Sequence, residues 1–323
     1  MKMKTVSQYA QMIEASISAL PLEKQPTGLY SPIHYALEAG GKRLRPVLTL
    51  SVSDALGCNP EKAINQAIGI EMFHNFTLLH DDVMDKADVR RGRPTVHRKY
   101  SESTAILSGD AMLTLAGSLI MKDCPDSKLR TVLNLFNKTA IEIYEGQQYD
   151  MDSEIRSDVT TDEYLEMIRL KTSVLLGCAC AMGAIIADAD DSTCSAFYSY
   201  GEKLGLSFQL KDDWLDTYGN PETFGKAIGG DIANEKKTWL LITAMAEDRS
   251  GVLSEVIGKN IAADQKIEKV RGVYDSLNLS ERCRELEERF AKDAIDSLNT
   301  VNMSMEAKEY FTNLALNSLK RTK

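Results

Sequence analysis

The sequence predicts an all-α fold, a single domain over residues 1–323 built as an antiparallel helical bundle. Three observations carry this reading. Apolar residues recur with helical period along most of the chain, and alternating strand patterns are scarce. Proline is sparse, with eight in 323 residues and none between Pro125 and Pro221, so that stretch can run as long helices joined by short turns. No segment rich in Pro, Gly or Ser interrupts the pattern as a linker, and 43% hydrophobic residues supply a sizeable core.

Taken in order, Val6, Tyr9, Ile13, Ile17 and Leu20 mark one apolar stripe before Pro21. A helix carrying His34 to Ala39 is expected to end at Gly40-Gly41, with Pro46 in the first turn of the next. Another helix should carry Glu71 through Asp85, and Leu129, Val132, Leu133, Phe136, Ala140 and Ile143 stripe a long one that Glu145 to Asp150 closes. Ser173 to Ala187 is apolar and rich in small residues, about 15 residues and so too short to span a bilayer. It reads as a buried helix with close neighbours. Asp188-Ala189-Asp190-Asp191 suits a solvated turn, and from Ser280 onward the pattern is charged amphipathic helix.

Composition excludes some classes. A net charge of −9 argues against nucleic-acid binding, because no broad basic surface offsets phosphate repulsion. The N-terminus has no apolar targeting stretch. Cys58, Cys124, Cys178, Cys180, Cys194 and Cys283 lack metal-ligand spacing and read as reduced, buried thiols, so a cytoplasmic location is expected.

Chemistry concentrates at Asp81-Asp82-Val83-Met84-Asp85. Asp81 and Asp85 are four residues apart and share a helix face, with Asp82 beside them. Such a cluster calls for hard divalent cations. The spacing recurs as Asp212-Asp213-Trp214-Leu215-Asp216; with 24 Asp in the chain, chance would give roughly 0.1 copies of the pattern. Two such clusters can hold several Mg²⁺ ions, and Mg²⁺ commonly shares its shell with substrate phosphates, so the implied ligand is a diphosphate.

Basic residues flank both clusters. Lys42 and Arg45 follow Gly40-Gly41 at a helix N-terminus, where free amides favour an anion. His74 lies two turns before Asp81 on the same face, and Arg90 and Arg91 follow Asp85 in a positive loop. Lys171-Thr172 start the small-residue helix, and Gln209 precedes Asp212 on one face. Lys226 and Lys236 come after. Glu71-x-x-His74 is half of a di-iron motif, but no second copy occurs.

In this order the motifs Gly-Lys-Arg-x-Arg-Pro, the first Asp cluster with Arg-Arg-Gly, Lys-Thr, the Gln before the second cluster and the later lysines resemble the trans-isoprenyl diphosphate synthase family from about Gly40 to Thr238. The resemblance implies an all-α fold around a deep central cavity, Mg²⁺ dependence and a homodimer. It implies that Lys42, Arg45, His74 and Arg91 bind isopentenyl diphosphate. Arg90, Lys171, Thr172, Gln209, Lys226 and Lys236 would contact an allylic diphosphate. Asp81, Asp85 and Asp212 would be the main metal ligands, supported by Asp82, Asp213 and Asp216. One departure is visible: Trp239-Leu240 stand where many relatives have Leu-Pro, which should alter a helix start rather than the chemistry.

The implied reaction needs no side-chain nucleophile. Ionisation gives an allylic carbocation that the alkene of isopentenyl diphosphate attacks, in a dry cavity. Phe76, five residues and about 7.5 Å before Asp81, can act as a floor for the growing chain, with Thr77 small at the fourth position and Phe73 one turn deeper. That pattern resembles archaeal geranylgeranyl diphosphate synthases, so a C20 product is favoured over C15. The alternatives are a class I terpene cyclase, which needs no second diphosphate site, a His-Asp phosphohydrolase, and a non-catalytic prenyl-diphosphate-binding partner.

Overall fold

Helical periodicity is realised almost throughout the computed structural model, which describes residues 3–220 and 228–321. Contacts divide the chain into two units, residues 1–137 with 178–197 and residues 138–177 with 198–323. All three boundaries fall inside helices rather than in linkers.

The first unit opens with α1 (Val6–Ser18), started by a capping box in which Thr5 and Gln8 exchange side-chain and backbone bonds. Tyr9, Ile13 and Ile17 of its stripe are buried, while Val6 is exposed. α2 (Thr27–Glu38) ends before Gly40 and Gly41, whose φ values of 69° and 138° give the left-handed bend that glycine supplies at a helix end. α3 (Leu44–Ala55) follows with Pro46 in its first turn, and a 3₁₀ turn (Pro60–Ala63) leads into α4 (Ile64–Met84). Every residue of α4 from Gln66 to Phe73 is buried, so this is a central helix surrounded on all sides.

Beyond α4, two short strands, β1 (Val89–Arg90) and β2 (Arg93–Pro94), pair antiparallel with Arg90 opposite Arg93. From sequence alone the segment reads as a basic loop, since two-residue strands carry no periodic signal. Arg91 and Gly92 at the tip have φ of 52° and 73°, the positive pair a tight hairpin turn requires. After α5 (Val96–Lys99), α6 (Glu102–Met121) packs along α4. Gly109 admits the His80 ring and Gly69 admits Ile120, each where a Cβ would collide.

The second unit holds the later part of α7 (Asp126–Ile155), α8 (Thr161–Ile168), a π-helical turn (Arg169–Ser173), the start of α9 (Val174–Ile186) and most of α10 (Asp191–Tyr218). It continues through α11 (Gly230–Ala233), α12 (Trp239–Glu247), α13 (Val252–Val256), α14 (Ala263–Ser276), α15 (Leu279–Ser297) and α16 (Met305–Leu319). Its core gathers Tyr164, Leu210, Leu240, Leu241, Val270, Tyr274, Leu279 and Cys283. Along α15, Ser280 accepts from the Trp214 indole at 3.0 Å and Glu287 meets Lys211 at 3.7 Å, both of that pair buried. Thr238 caps α12 by accepting from the Leu241 amide, so the Trp239-Leu240 pair leaves a normally capped helix start.

Three expectations need correction. α7 runs past Asp150 to Ile155, because nothing in Met151 to Ile155 breaks a helix. The apolar stretch from Ser173 belongs to a continuous helical run, Thr161–Ile186, of 26 residues. That run and α6 are both long and apolar enough to cross a membrane, so the length argument fails; the first is 78% buried within the protein and α6 39%. Cys178, Cys180 and Cys283 are buried, but Cys58, Cys124 and Cys194 are only partly so.

Two stability measurements follow. A Cβ on Gly146 of α7 would overlap the backbone nitrogen of Lys171, so Gly146→Ala should cost about 1–3 kcal/mol by overpacking. Calorimetry should record a melting temperature lower by several degrees, and an unchanged one would mean that the π-helical turn yields freely. Burial pushes the Glu287 carboxyl from an ordinary 4.5 up to about 7, against the pull of Lys211. The folded protein therefore keeps this proton to higher pH than the unfolded chain. Its contribution to stability is full below about 4.5 and is lost as pH rises through 7. Denaturant titrations from pH 4.5 to 8 should display this slope in the wild type and lose it in Glu287→Gln.

Candidate active site

In the first unit the Gly40–Pro46 segment is pinned by Arg43, which sequence reading passed over. Arg43 sits at the N-cap of α3 with φ 47° and is almost fully buried. Its guanidinium donates to Glu14 at 2.7 Å, to Glu71 at 2.8 Å and to the Leu37 carbonyl at 2.7 Å. Glu71 is itself buried and also accepts from Asn75, so removing Arg43 would strand a buried carboxylate at a cost of about 3–5 kcal/mol. The only hint in the sequence was that a Lys-Arg-x-Arg run cannot present every cation outward from one turn.

This anchor presents Lys42 at the surface and turns Arg45 inward. Arg45 Nη1 lies 3.1 Å from His74 Nε2. A guanidinium can only donate, so the imidazole accepts at Nε2 and keeps its proton at Nδ1. Burial, then the charges of Arg45, Arg91, Arg90 and Arg43, hold His74 well below the usual histidine range and therefore neutral at pH 7. Burial and the neighbouring Arg91 also lower Arg45, to about 10. Arg91, held at the hairpin tip, donates to the Gly40 carbonyl, and its guanidinium covers Gly41 where a side chain would collide. Cations thus crowd one neutral ring with Glu71 as the main counter-charge. A polyanion is the ligand this field favours.

The first Asp cluster is arranged less simply than its spacing implied. Asp82 is buried and accepts from Arg90 Nε at 2.7 Å, while Nη2 of the same guanidinium is 3.6 Å from Asp81. Burial nonetheless raises the Asp82 carboxyl above its ordinary value, with Arg90 pulling the other way. Asp85 is exposed at the C-cap of α4. Below the cluster, Phe73 is fully buried, with ring centroids 5.5 Å from Phe76 and 5.3 Å from Phe136. Phe76 stacks edge-on to His80 at 4.8 Å, and the Thr77 hydroxyl donates to the His74 carbonyl at 2.8 Å.

In the second unit, Lys171 and Thr172 lie in the π-helical turn between α8 and α9, an irregularity common at functional sites. Lys171 Nζ meets Asp150 at 2.6 Å, and the Thr172 hydroxyl donates to Gln209 Oε1 at 3.3 Å. Gln209 in turn donates to Asp213 Oδ1 at 3.1 Å, and the Tyr164 hydroxyl donates to Asp213 Oδ2. Burial pushes Asp213 up to about 7, against Lys236. Asp216 accepts from the Asp231 amide at 2.8 Å, and Asp212 is ion-paired with Arg321. At Lys236 desolvation opposes the charge, but Asp231, Asp213, Asp150 and Asp216 outweigh it and raise the value. Lys226 lies outside the described residues. Tyr164, Asp150, Asp231 and Arg321 went unnoticed as site residues because each is far in sequence from the groups it touches.

Among the described residues no three His, Cys, Asp or Glu side chains stand close enough to share one ion. Arg90 engages Asp82, while Arg321, Tyr164 and the Asp231 amide each engage one carboxylate of the second cluster. The donors themselves are oxygen throughout, which suits a hard ion such as Mg²⁺ rather than a soft metal. Asp81, Asp85, Asp212 and Asp216 retain exposed surface, whereas Asp82 and Asp213 are buried.

The polyprenyl synthetase family model matches residues 26–274. The chain is 39% identical over 308 residues to a geranylgeranyl pyrophosphate synthase of Geoglobus acetivorans, covering 93% of this chain and 95% of that one. It is 39% identical to a geranylfarnesyl diphosphate synthase of Natronomonas pharaonis, covering 79% of each. A crystal structure of a geranylgeranyl pyrophosphate synthase superposes with a TM-score of 0.95 at 42% identity, covering 99% of this chain and 100% of that one. With its motifs in order, its helices in place and a match over most of its length, the chain belongs to the polyprenyl synthetase family of prenyltransferases.

Proposed function

We propose that this prenyltransferase condenses isopentenyl diphosphate with an allylic diphosphate, head to tail, and stops at geranylgeranyl diphosphate. The observation that carries the reading is the cation-crowded neutral His74 beside Arg45 and Arg91. A terpene cyclase has no use for a second diphosphate site of this kind. The likeness to a geranylgeranyl pyrophosphate synthase over nearly the whole chain supports the product assignment.

Arg45, Arg91 and Lys42 hold the diphosphate of isopentenyl diphosphate, with the His74 Nδ1 proton available to donate. Arg90, Lys171, Thr172, Gln209, Lys226 and Lys236 bind the allylic diphosphate. Asp81, Asp85 and Asp212 would hold Mg²⁺, which when bound supplies Lewis-acid stabilisation of the charge on the departing diphosphate. Lys171 and Lys236 add fixed positive charge where that negative charge grows. The C–O bond breaks with its electron pair on the diphosphate, the alkene of isopentenyl diphosphate attacks the allylic cation, and the proton lost afterwards goes to the released diphosphate.

Helices rather than linkers at the unit boundaries support one domain over the whole chain. Helix α6 supports a homodimer: it is apolar, only 39% buried, and exposes Ile106 and Leu107 at 43% and 59%, a face a second copy would cover. Six unpaired cysteines support a reducing, cytoplasmic setting.

Mass spectrometry of products from purified protein, Mg²⁺, isopentenyl diphosphate and dimethylallyl, geranyl or farnesyl diphosphate tests the reading. Chain-extended diphosphates ending at C20, abolished by chelator, are expected; cyclic hydrocarbons formed without isopentenyl diphosphate would replace it with the cyclase reading. In the same assay Phe76→Ala should move the longest product beyond C20, and an unchanged distribution would remove Phe76 as the floor.

A further inference from the structure

We propose that the C-terminal Arg321 is a built-in counter-ion of the second Asp cluster, which a divalent cation must displace from Asp212. The inference rests on the reading of Asp212 as a metal ligand. α16 ends at Leu319 with Lys320 as its C-cap, and the Arg321 amide bonds back to the Ser318 carbonyl at 3.3 Å. Its side chain is only 12% exposed. The guanidinium carbon lies 3.9 Å from the centre of the Phe208 ring, and Nη2 ion-pairs with Asp212 Oδ1. Phe208 and Asp212 are four residues apart on α10, so one planar cation spans both.

Burial makes this seat costly for a cation. The buried Nε finds no hydrogen-bond partner among the described residues. Asp212 is what offsets that cost. One oxygen cannot serve both a guanidinium and a Mg²⁺ ion, which needs ligand oxygens at about 2.1 Å. The two cations also repel each other. Docking of the tail therefore competes with cation binding: if the docked turn is favoured ten to one, apparent Mg²⁺ affinity falls about 11-fold. By reciprocity a saturating cation undocks the tail by the same factor. The C-terminal turn then reports, and opposes, loading of the second cluster.

The test uses the full chain, Arg321→Gln, a chain ending at Lys320, and Asp212→Asn. Mg²⁺ is titrated by calorimetry, and amide exchange is followed over residues 305–321 with and without Mg²⁺. Both tail variants should bind Mg²⁺ about 3- to 10-fold tighter. In the wild type, Mg²⁺ should raise exchange at Ser318 to Arg321, which loss of a distant charge could not do. Unchanged exchange, or affinities within twofold of wild type, overturns the competition. Tightening that persists in the Asp212→Asn background also overturns it. If Asp212→Asn weakens Mg²⁺ binding while Arg321→Gln changes nothing, only the competition falls; if Asp212→Asn leaves Mg²⁺ binding intact, the metal role of Asp212 falls with it.

Discussion

Carboxylates gathered on two helices of a protein that already carries a net charge of −9 are the constraint on which the rest of this structure depends. Each must be balanced locally, since like charges at helical spacing repel. The balance is distributed residue by residue. Arg90 holds Asp82 and approaches Asp81, Lys171 takes Asp150, Lys236 stands among four acids, and Arg321 reaches Asp212 from the far end of the chain. Burial pushes Asp213 up although Tyr164 donates to it and Lys236 is near, as it does Asp82 despite Arg90. The acids that remain accessible are those a hard cation could use.

Backbone geometry places these charges. Helix α4 is buried on every side through its middle, so its register is fixed by packing, and Gly69 and Gly109 set how closely α6 approaches. With α4 immobile, His74 and the first Asp cluster are fixed two turns apart. In the second unit, Gly146 lets the π-helical turn press against α7, which brings Lys171 to Asp150 and Thr172 to Gln209. Close packing and the recognition chemistry therefore share residues: a methyl group added in either place would shift a charged side chain.

The cation-rich cluster around His74 differs in kind from the cluster around Gln209 and Asp213. Around His74 the field is strongly positive with a neutral ring at its centre, an arrangement that binds a polyanion without side-chain carboxylates competing for a metal. The Thr172, Gln209 and Asp213 chain is instead a partly buried hydrogen-bond network ending at a carboxylate.

Much of this was written in local sequence. Helical period, the Gly-Gly break before Pro46, the repeated Asp spacing and the neighbouring cations all act within a turn or two, so they could be read without coordinates. The family, the all-α fold and the residues of the basic and acidic motifs follow from them. What the sequence could not disclose depends on partners far apart in the chain: Arg43 folding inward to Glu14 and Glu71 rather than joining Lys42 outside, Tyr164 reaching Asp213, and Arg321 closing on Asp212. Local propensity fixes which residues share a helix face, whereas which cation meets which carboxylate is decided only when packing brings separate helices within a few ångströms of each other.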